Sequence, residues 1–353
     1  MDWPTWREAT EHALYGPDGF YRRERPADHF RTSTNASSLF ADAIVTLARL
    51  SESTTLVDLG AGGGELLRAV CRRAPDLDLI GVDVAPRPAD LDDTIGWIST
   101  VADLETTEAV GPAHLSHHHA GGGLVDVLVV ANEWLDDVPV DVVEVDDAGQ
   151  ARLVHVDPTS GIEKLGEAPG SADAQWLARW WPLEGAEAGE RAEIGRTRDN
   201  AWADVVRRVD RGVLLAIDYG HRRGDRPPYG SLAGYHVGRL VASVPDGSRD
   251  ITAHVALDAC ASAGTHAGAT ATLLTTQRAA LRALGIDGTL PDVTLASSDP
   301  TAYLAALSHA SKAAELVEAA GLGGFGWLVQ AVGRPLPDVL AELSADDGSS
   351  VVS

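Results

Sequence analysis

A glycine-rich segment directly after a short apolar run carries the strongest chemical signal in the sequence. Gly60, Gly62 and Gly64 occupy alternate positions, and Asp58 precedes them. A dinucleotide site requires Gly-x-Gly-x-x-Gly, but its third glycine would fall on Glu65, whose carboxylate would repel a diphosphate. Alternate glycines instead let the backbone approach the methionine part of S-adenosylmethionine, and Asp58 can face its ammonium group. The segment therefore predicts S-adenosylmethionine as cofactor.

Two acidic residues follow the next two apolar runs. Asp83 ends the run 77–84, and Asp103 comes after the run 96–101. The carboxylate of Asp83 can accept both hydroxyls of a ribose, and that of Asp103 can accept the amino hydrogen of adenine. Each residue could instead cap a helix, and the glycines could form only a tight turn. The order of the loop and the two acids after three successive strands favours a binding site.

The runs that carry these residues belong to an alternating pattern of strands and helices. Predicted strands cover 55–59, 77–84, 96–101, 125–131, 212–218 and 325–332. Predicted helices cover 172–181, 199–209, 252–263, 274–285 and 300–320, and a hairpin joins 142–145 to 152–156. The run 125–131 is almost pure Val and Leu, as expected for a parallel strand buried on both faces. We therefore expect an α/β fold, a doubly wound Rossmann-like methyltransferase sheet with an N-terminal helical segment and an inserted irregular and helical cap.

The same pattern predicts the organisation of the chain. Residues 1–50 form an N-terminal helical lid segment, and residues 51–334 form the methyltransferase domain, with insertions at about 141–200 and 221–310. Residues 335–353 are acidic and Ser-rich, which predicts a flexible tail.

Beyond the glycine loop, several segments resemble the mitochondrial complex I assembly-factor methyltransferases and their bacterial homologues. The resembling segments are HFRTS at 29–33, ANEWLDDVPV at 131–140, IDYGH at 217–221, DITAHV at 250–255 and FGWLV at 325–329. The resemblance implies methyl transfer from S-adenosylmethionine, and it implies that Thr32 and Ser33 bind the cofactor. The mitochondrial member methylates an arginine of a protein subunit. The chain departs from the family at Asn35, where the family usually has Glu, and this departure bears on the substrate more than on the cofactor.

The resemblance also places an acceptor site at Asn132 and Glu133, after the fourth strand. Methyl transfer from a sulfonium is an in-line displacement, so the enzyme must align the acceptor and exclude water. Glu133 could hold a guanidinium through two parallel hydrogen bonds, with Asn132 beside both the cofactor and the acceptor. Asp218 is the third predicted catalytic residue, and Tyr219 is expected to line the pocket with it. Asn132 and Glu133 could instead only cap a following helix.

Two other groups of polar residues give weaker signals. Asp250, Thr252 and His254 are predicted to begin a helix, where they could line the site or simply cap and pack. His117, His118 and His119 are consecutive, and consecutive residues rarely converge on one ion, so we expect a solvated loop and no metal.

Composition limits the partners. The chain has 353 residues and a net charge of -24, which disfavours nucleic acid as a substrate. Only two cysteines are present, far apart, and no apolar run reaches the roughly 20 residues that span a bilayer. We expect a cytoplasmic protein that does not insert into membranes and whose acceptor is a protein or a small molecule, and a homodimer remains open.

Three functions remain open. The first is methylation of a protein side chain, with arginine as the leading acceptor. The second is methylation of a small molecule by the same fold. The third is an assembly or scaffold protein that binds S-adenosylmethionine with little catalysis. A nicotinamide-dependent oxidoreductase is disfavoured by Glu65.

Overall fold

A computed structural model describes residues 3–23, 33, 38–105 and 122–343. In these residues the helices are α1 (Trp6–Tyr15), α2 (Phe20–Arg23), α3 (Ser38–Leu50), α4 (Glu65–Arg73), α5 (Ser171–Trp180), α6 (Arg196–Arg207), α7 (Leu257–Ala267), α8 (Gln277–Ala283), α9 (Leu295–Ser298), α10 (Pro300–Leu316) and α11 (Asp338–Ala341). The strands are β1 (Thr55–Leu59), β2 (Asp78–Val82), β3 (Gly96–Ile98), β4 (Leu124–Asn132), β5 (Asp141–Val145), β6 (Ala151–Val156), β7 (Glu163–Leu165), β8 (Arg191–Ile194), β9 (Val209–Asp218), β10 (Gly220–His221), β11 (Ala233–His236), β12 (Arg239–Val241), β13 (Asp250–Thr252), β14 (Val255–Ala256), β15 (Ala271–Thr276) and β16 (Gly326–Val332).

The central sheet has seven strands in the order β15-β16-β9-β4-β1-β2-β3. Strands β3, β2, β1, β4 and β9 are parallel, and β16 and β15 add antiparallel pairs at one edge. The chain winds outward from β1 to β3 and then returns to β4 on the other side of β1. This reversal between β1 and β4 opens a crevice at the carboxyl ends of the strands, where α/β sheets bind their ligands. The predicted doubly wound α/β fold is confirmed.

Helices cover both faces of this sheet, which explains why its strands are apolar on both sides. On one face, buried residues of α3, α4, α8 and α10 form a core that includes Phe40, Leu67 and Leu316. On the other face, α6 and α7 contribute Trp202 and Cys260 to a second core. All five residues of β1 are buried, so the strand that carries the glycine loop is held firmly.

Two smaller sheets stand beside the crevice. A four-stranded sheet has the order β7-β6-β5-β8 and contains the predicted hairpin, and a three-stranded sheet has the order β12-β11-β13. Helix α1 packs Trp6 against Val142, Val154 and Ile251 of these sheets. The N-terminal helices are thereby fixed to the part of the chain that faces the crevice.

Within the predicted tail 335–353, residues 338–341 form α11, and Leu340 is buried in the core. The sequence prediction was also wrong at two short strands. Residues 250–252 form β13, which pairs with β11, and the helix predicted from residue 252 begins only at Leu257. Residues 271–276 form β15, at the edge of the central sheet within a range predicted as an insertion, and the helix predicted from residue 274 begins at Gln277. The Thr276 hydroxyl accepts the Ala279 N–H and so caps this helix. In both cases the strand is defined by a distant partner, which local periodicity does not reveal.

In the part of the chain that the structure describes, no helix is both long enough and apolar enough to cross a bilayer.

Candidate active site

A cavity of about 370 Å³ lies at the carboxyl ends of β1, β2 and β4. The glycine loop and the residues after β2 form one end of it. The segment after β4 forms the middle, and α1, α2, β11 and β13 close the other end. One continuous space therefore joins the predicted cofactor loop to residues from the inserted sheets.

The three glycines of the loop have the backbone conformation that their spacing suggested. Gly60, Gly62 and Gly64 have φ values of 69°, 54° and 77°, in the left-handed region that side chains with a Cβ rarely adopt. A Cβ on Gly60 would lie 3.0 Å from the Trp134 ring, and one on Gly64 would lie 2.9 Å from Leu91. The loop therefore requires glycine both for its conformation and for its close contacts.

Asp83 lines the cavity and also fixes the shape of the loop. One carboxylate oxygen accepts the N–H of Gly62 at 2.7 Å, and the other accepts the N–H of Ala85 at 2.7 Å. The backbone role was not predicted from the sequence. Each oxygen keeps a second lone pair, so the predicted bonds to ribose hydroxyls remain available.

The other two acids predicted at the cofactor differ in their placement. Asp58 is buried and lines the cavity, and burial, with the charges of Asp83 and Glu65, raises its pKa well above the ordinary value. Asp103 does not line the cavity. Its carboxylate accepts the backbone N–H of Thr100 at 3.1 Å and the hydroxyl of the same residue at 2.9 Å, so it stabilises a local turn. Thr100 itself borders the cavity where a role for Asp103 was predicted.

Glu133 occupies a strained position at the centre of the cavity. Its φ is 53°, which is uncommon for a side chain of this size, and its N–H donates to the Ile217 carbonyl at 2.8 Å. The Asn132 amide donates to its carboxylate at 3.0 Å, while the Asn132 Oδ1 is buried without a partner among the described residues. Burial and the charge of Asp136 raise the pKa of Glu133 to about 8. A turn follows instead of a helix, so the alternative that these two residues cap a helix is wrong.

Two tyrosines and two acids that were not predicted as site residues border the cavity with Glu133, together with Asp250, for which the sequence left a role in the site open. The Tyr21 hydroxyl donates to Asp250 at 2.6 Å, and the Tyr15 hydroxyl donates to the Asp137 carbonyl at 3.1 Å. Burial raises the pKa of Asp250 to about 7, and burial with the charge of Asp136 raises that of Asp137 well above its usual range. The two tyrosines are Tyr15 and Tyr21 and the two acids are Asp136 and Asp137, and the other unpredicted lining residues include Glu65, Trp134 and Tyr235. Asp136 and Asp137 lie inside the resembling segment 131–140, which was the available signal for them.

Asp218, one of the predicted catalytic residues, does not line the cavity. It is fully buried, and one of its oxygens accepts the N–H groups of Leu135 at 3.0 Å and Asp136 at 3.2 Å. It therefore fixes the conformation of the segment after β4 without bordering the cavity. Its neighbour Tyr219 does line the cavity, and its ring stacks on His254 with centroids 5.8 Å apart.

A buried arginine that the sequence did not single out holds this region together. Arg198 is 2% exposed, and its guanidinium donates to the carbonyls of Asp136, Val138, Ala253 and His254. These bonds join the segment after β4 to the one after β13. No local pattern could have indicated them, because the partners lie 55 to 62 positions away in the chain.

The remaining predicted residues fall partly outside the described ranges. Ser33 is buried, and its hydroxyl exchanges hydrogen bonds with the Gln277 amide, while its N–H donates to the Glu133 carboxylate. It supports Glu133 and is not among the residues that border the cavity. Thr32 and the three histidines at 117–119 lie outside the described residues.

The cavity is strongly acidic. Seven of the described residues that line it carry a carboxyl group, and none of those lining residues is Lys or Arg. The seven are Asp58, Glu65, Asp83, Glu133, Asp136, Asp137 and Asp250. A buried carboxylate is costly unless it is paired, so this lining suits ligands with positive charge. The sulfonium and ammonium groups of S-adenosylmethionine meet that requirement, and the unpartnered Asn132 Oδ1 offers a further acceptor.

Comparison with known proteins agrees with this arrangement. The family model for S-adenosyl-L-methionine-dependent methyltransferases matches residues 83–275. A protein from Burkholderia thailandensis, described as a methyl transfer enzyme and crystallised with S-adenosyl-homocysteine, is similar with a TM-score of 0.73 and 25% identity, over 96% of this chain and 91% of that one. A native crystal structure from the same organism is similar with a TM-score of 0.72 and 25% identity, over 96% and 90% of the two chains. No curated protein matches the sequence.

Proposed function

The chain belongs to a family of S-adenosyl-L-methionine-dependent methyltransferases, and from that premise we propose that its acceptor is a cationic nitrogen of a protein side chain, with the arginine guanidinium as the leading acceptor. S-adenosylmethionine, which the glycine loop predicted, is the methyl donor. The observation that carries the proposal is that four carboxyl groups line the cavity from the segment after β4 and from β13, outside the cofactor loop, in the part that we call the acceptor end. These four are Glu133, Asp136, Asp137 and Asp250.

A guanidinium suits this group of acids better than a neutral acceptor does. Burial raises the pKa of all four carboxyl groups, so a bound cation would relieve the cost of their ionisation. A planar guanidinium can also bind a carboxylate through two parallel hydrogen bonds, which fixes the direction of the reacting nitrogen. The resemblance to the complex I assembly-factor methyltransferases supports an arginine within a protein.

Each end of the cavity has its own task in the reaction. The bound donor supplies a methyl group on a positively charged sulfur. The loop held by Asp83 and the carboxylate of Asp58 bind and orient that donor. Glu133 orients the acceptor, with its own carboxylate held by Asn132. The aromatic residues around the acceptor end exclude water, which favours displacement over hydrolysis.

The experiment that tests this proposal follows a labelled methyl group. The protein is incubated with isotopically labelled S-adenosylmethionine and dialysed bacterial lysate protein, and in parallel with the small-molecule fraction of the same lysate. We expect label on arginine side chains, located by mass spectrometry of the digested proteins. Label confined to the small-molecule fraction would instead indicate that the protein methylates a small molecule. Tight donor binding with no label in either fraction would indicate an assembly or scaffold protein that binds S-adenosylmethionine with little catalysis.

Asp83→Ala is expected to weaken S-adenosylmethionine binding by about 1.5–3 kcal/mol, the range for hydrogen bonds that involve a charged group. The substitution removes the predicted ribose acceptor and also leaves the N–H groups of Gly62 and Ala85 without their partner. Thermal stability should therefore fall as well. Isothermal titration calorimetry gives the affinity, and a thermal melt gives the stability.

Asp103→Ala is the matched control for that variant. Asp103 also accepts a backbone N–H after a strand of the central sheet, but it does not border the cavity. We expect a small loss of stability and no change in affinity. An equal loss of affinity in the two variants would mean that the loss comes from general destabilisation and not from a contact between Asp83 and the donor.

Cation binding at the acceptor end should strengthen with rising pH. The pKa values of Glu133 and Asp250 are raised to about 8 and about 7, so both groups become charged between pH 6 and pH 9. We expect the affinity for acetyl-arginine amide, measured by calorimetry in the presence of S-adenosylhomocysteine, to increase at least about tenfold from pH 6 to pH 8. A flat profile would contradict the pairing of the cation with these carboxylates.

The stability of the free protein should change in the opposite direction. A carboxyl group whose pKa is higher in the folded state than in the unfolded state binds its proton more tightly when folded. Its contribution is present at acidic pH and is lost as the pH rises through the folded value. Thermal melts should therefore show a decrease in stability from about pH 6 to pH 9, which acetyl-arginine amide reduces.

A further inference from the structure

Methylation of a guanidinium releases a proton, and one group at the acceptor end must receive it. The acceptor nitrogen forms a bond to the methyl carbon, the carbon–sulfur bond breaks with its electron pair going to sulfur, and one proton leaves the nitrogen. Since Arg is protonated at neutral pH, this proton transfer assists the attack of the nitrogen. The assignment of the residue that accepts this proton rests on the proposed function.

Asp136 differs from the other acids of the cavity in its partners. The Thr252 hydroxyl donates to its carboxylate at 2.7 Å, and the side chain of Asp218 and the buried guanidinium of Arg198 lie close enough to favour its charged form. Hydrogen-bond donors and a nearby positive charge stabilise a carboxylate against the cost of burial. Burial raises the pKa of Asp136 above its ordinary value, and these three neighbours act against that increase, so they favour its charged form.

The negative charge of Asp136 affects the pKa values of the neighbouring acids. The charge of Asp136 raises the pKa of Glu133, Asp137 and Asp250, in each case together with burial. When several carboxyl groups share one site, only some of them can be ionised. Asp136 is therefore the most readily ionised of these four acids, and the groups around it hold their protons more tightly. The titratable and charged groups that interact with it are Tyr15, Glu133, Asp137, Arg198, Asp218, Tyr219, Asp250 and His254.

Asp218 is placed to donate a hydrogen bond to Asp136. One of its oxygens accepts two backbone N–H groups, and the other is fully buried and has no partner in the described part of the chain. A proton on that second oxygen satisfies it and gives the Asp136 carboxylate a donor. The pKa of Asp218 is raised well above its ordinary value by burial and by the charge of Asp136, which agrees with a neutral side chain.

We propose that Asp136 accepts the proton released by the acceptor nitrogen, and that protonated Asp218 and Thr252 position its carboxylate in the cavity wall. Asp136 borders the cavity, and the oxygen that accepts the Thr252 hydroxyl keeps a second lone pair for the released proton, while its buried Oδ1 has no other donor among the described residues and accepts from Asp218. Glu133 has a different task, because its carboxylate, held by the amide of Asn132 and the N–H of Ser33, orients the acceptor. Asp136 is thus the catalytic base, while Asp218 is a positioning residue.

Infrared difference spectroscopy tests the two ionisation states without any acceptor. At pH 7, Asp136→Asn should remove the absorption of one carboxylate, and Asp218→Asn should remove the carbonyl stretch of one protonated carboxyl group. The carbonyl stretch of a protonated carboxyl group shifts on hydrogen–deuterium exchange, and both bands can be assigned by comparison with the unaltered protein. Loss of a protonated carboxyl band in Asp136→Asn would overturn the proposal, because a neutral Asp136 could not accept the proton.

Kinetics tests the proton transfer itself. With labelled S-adenosylmethionine and a pool of arginine-containing peptides, Asp136→Asn should lower kcat at least about 100-fold, as loss of a general base does. The affinity for S-adenosylmethionine by calorimetry should stay within about twofold of the unaltered protein. Asp199→Asn is the matched control, because Asp199 is also a buried acid with a raised pKa of about 6 but lies outside the cavity. Retention of more than a tenth of kcat in Asp136→Asn would refute the role.

The positioning role of Asp218 predicts a change in the pH profile. Asp218→Ala removes the donor, so the pKa of Asp136 rises and the acidic limb of kcat moves to higher pH. Asp218→Asn supplies an amide donor and should recover most of the lost rate and return the acidic limb toward its original pH. A purely structural role would lower the rate without moving the limb. If the unaltered protein labels none of the peptides, the proposed function fails and the base role fails with it, while the ionisation states are still decided by the infrared bands.

Discussion

Glu133→Gln is expected to slow methyl transfer at least about 100-fold, the size of effect seen when one preorganised contact with the transition state is removed. Gln keeps the length of the side chain and can still accept the hydrogen bond from the Asn132 amide. It cannot pair with a guanidinium through two charge-assisted bonds. The loss should appear mainly in kcat, because the contact that aligns the nitrogen for displacement matters most in the transition state.

The same substitution should leave donor binding and folding almost intact. Replacing a buried carboxyl group by a neutral amide removes a charge that burial already disfavours, so the melting temperature should not decrease. Glu144→Gln serves as control, because Glu144 is a half-buried acid on β5 outside the cavity, where it pairs with Arg191. Full activity of Glu133→Gln would make Glu133 a bystander. Loss of S-adenosylmethionine binding together with activity would move Glu133 into the donor site.

The sequence predicted the features that are determined by residues close together in the chain. The glycine loop follows from backbone conformation alone, and the structure gives all three glycines a positive φ. Strand β4 follows from its Val and Leu composition, since a parallel central strand is buried on both faces. Both features depend on residues that are adjacent in sequence, so the pattern that predicts them is complete in one short window.

The parts that were missed depend on distant partners or on the direction of a side chain. Asn132 and Asp218 both end a parallel strand, and both were predicted from the sequence to be catalytic. In the structure Asn132 borders the cavity, whereas the carboxylate of Asp218 turns to the backbone of the preceding segment. Arg198 lies on a helix with no motif around it, and only folding brings its guanidinium to the backbone carbonyls of the segments after β4 and β13. Tyr21 reaches Asp250 across 229 positions of sequence.

Short strands were also missed because they depend on partners that are distant in the sequence. The residues of β15 have an apolar content that suits either a helix or a strand, and only the antiparallel ladder with β16 decides between them. β13 is three residues long and depends on β11 in the same way. Because Asp250 and Thr252 lie on that strand and not at the start of a helix, they face the acceptor end as part of a sheet.

Gly62→Val is expected to abolish S-adenosylmethionine binding in calorimetry, with affinity reduced by more than about 100-fold, while the protein still folds. Gly62 has a φ of 54°, and a β-branched residue in that conformation is a severe outlier. The loop must therefore change shape, and the Gly62 N–H then loses its 2.7 Å hydrogen bond to Asp83. Both the backbone that approaches the donor and the acid expected to hold its ribose are displaced by one substitution.

Gly149→Val separates this effect from simple backbone strain. Gly149 has a φ of 75°, at the turn between β5 and β6, and a Cβ there would meet nothing within 4 Å. The strain is therefore comparable, but the site is far from the loop in the fold. We expect both variants to melt at lower temperature and only Gly62→Val to lose the donor. If Gly62→Val bound S-adenosylmethionine as tightly as Gly149→Val, the loop would not be the donor site, and the acidic lining from Glu133 to Asp250 would have to hold the donor as well as the acceptor.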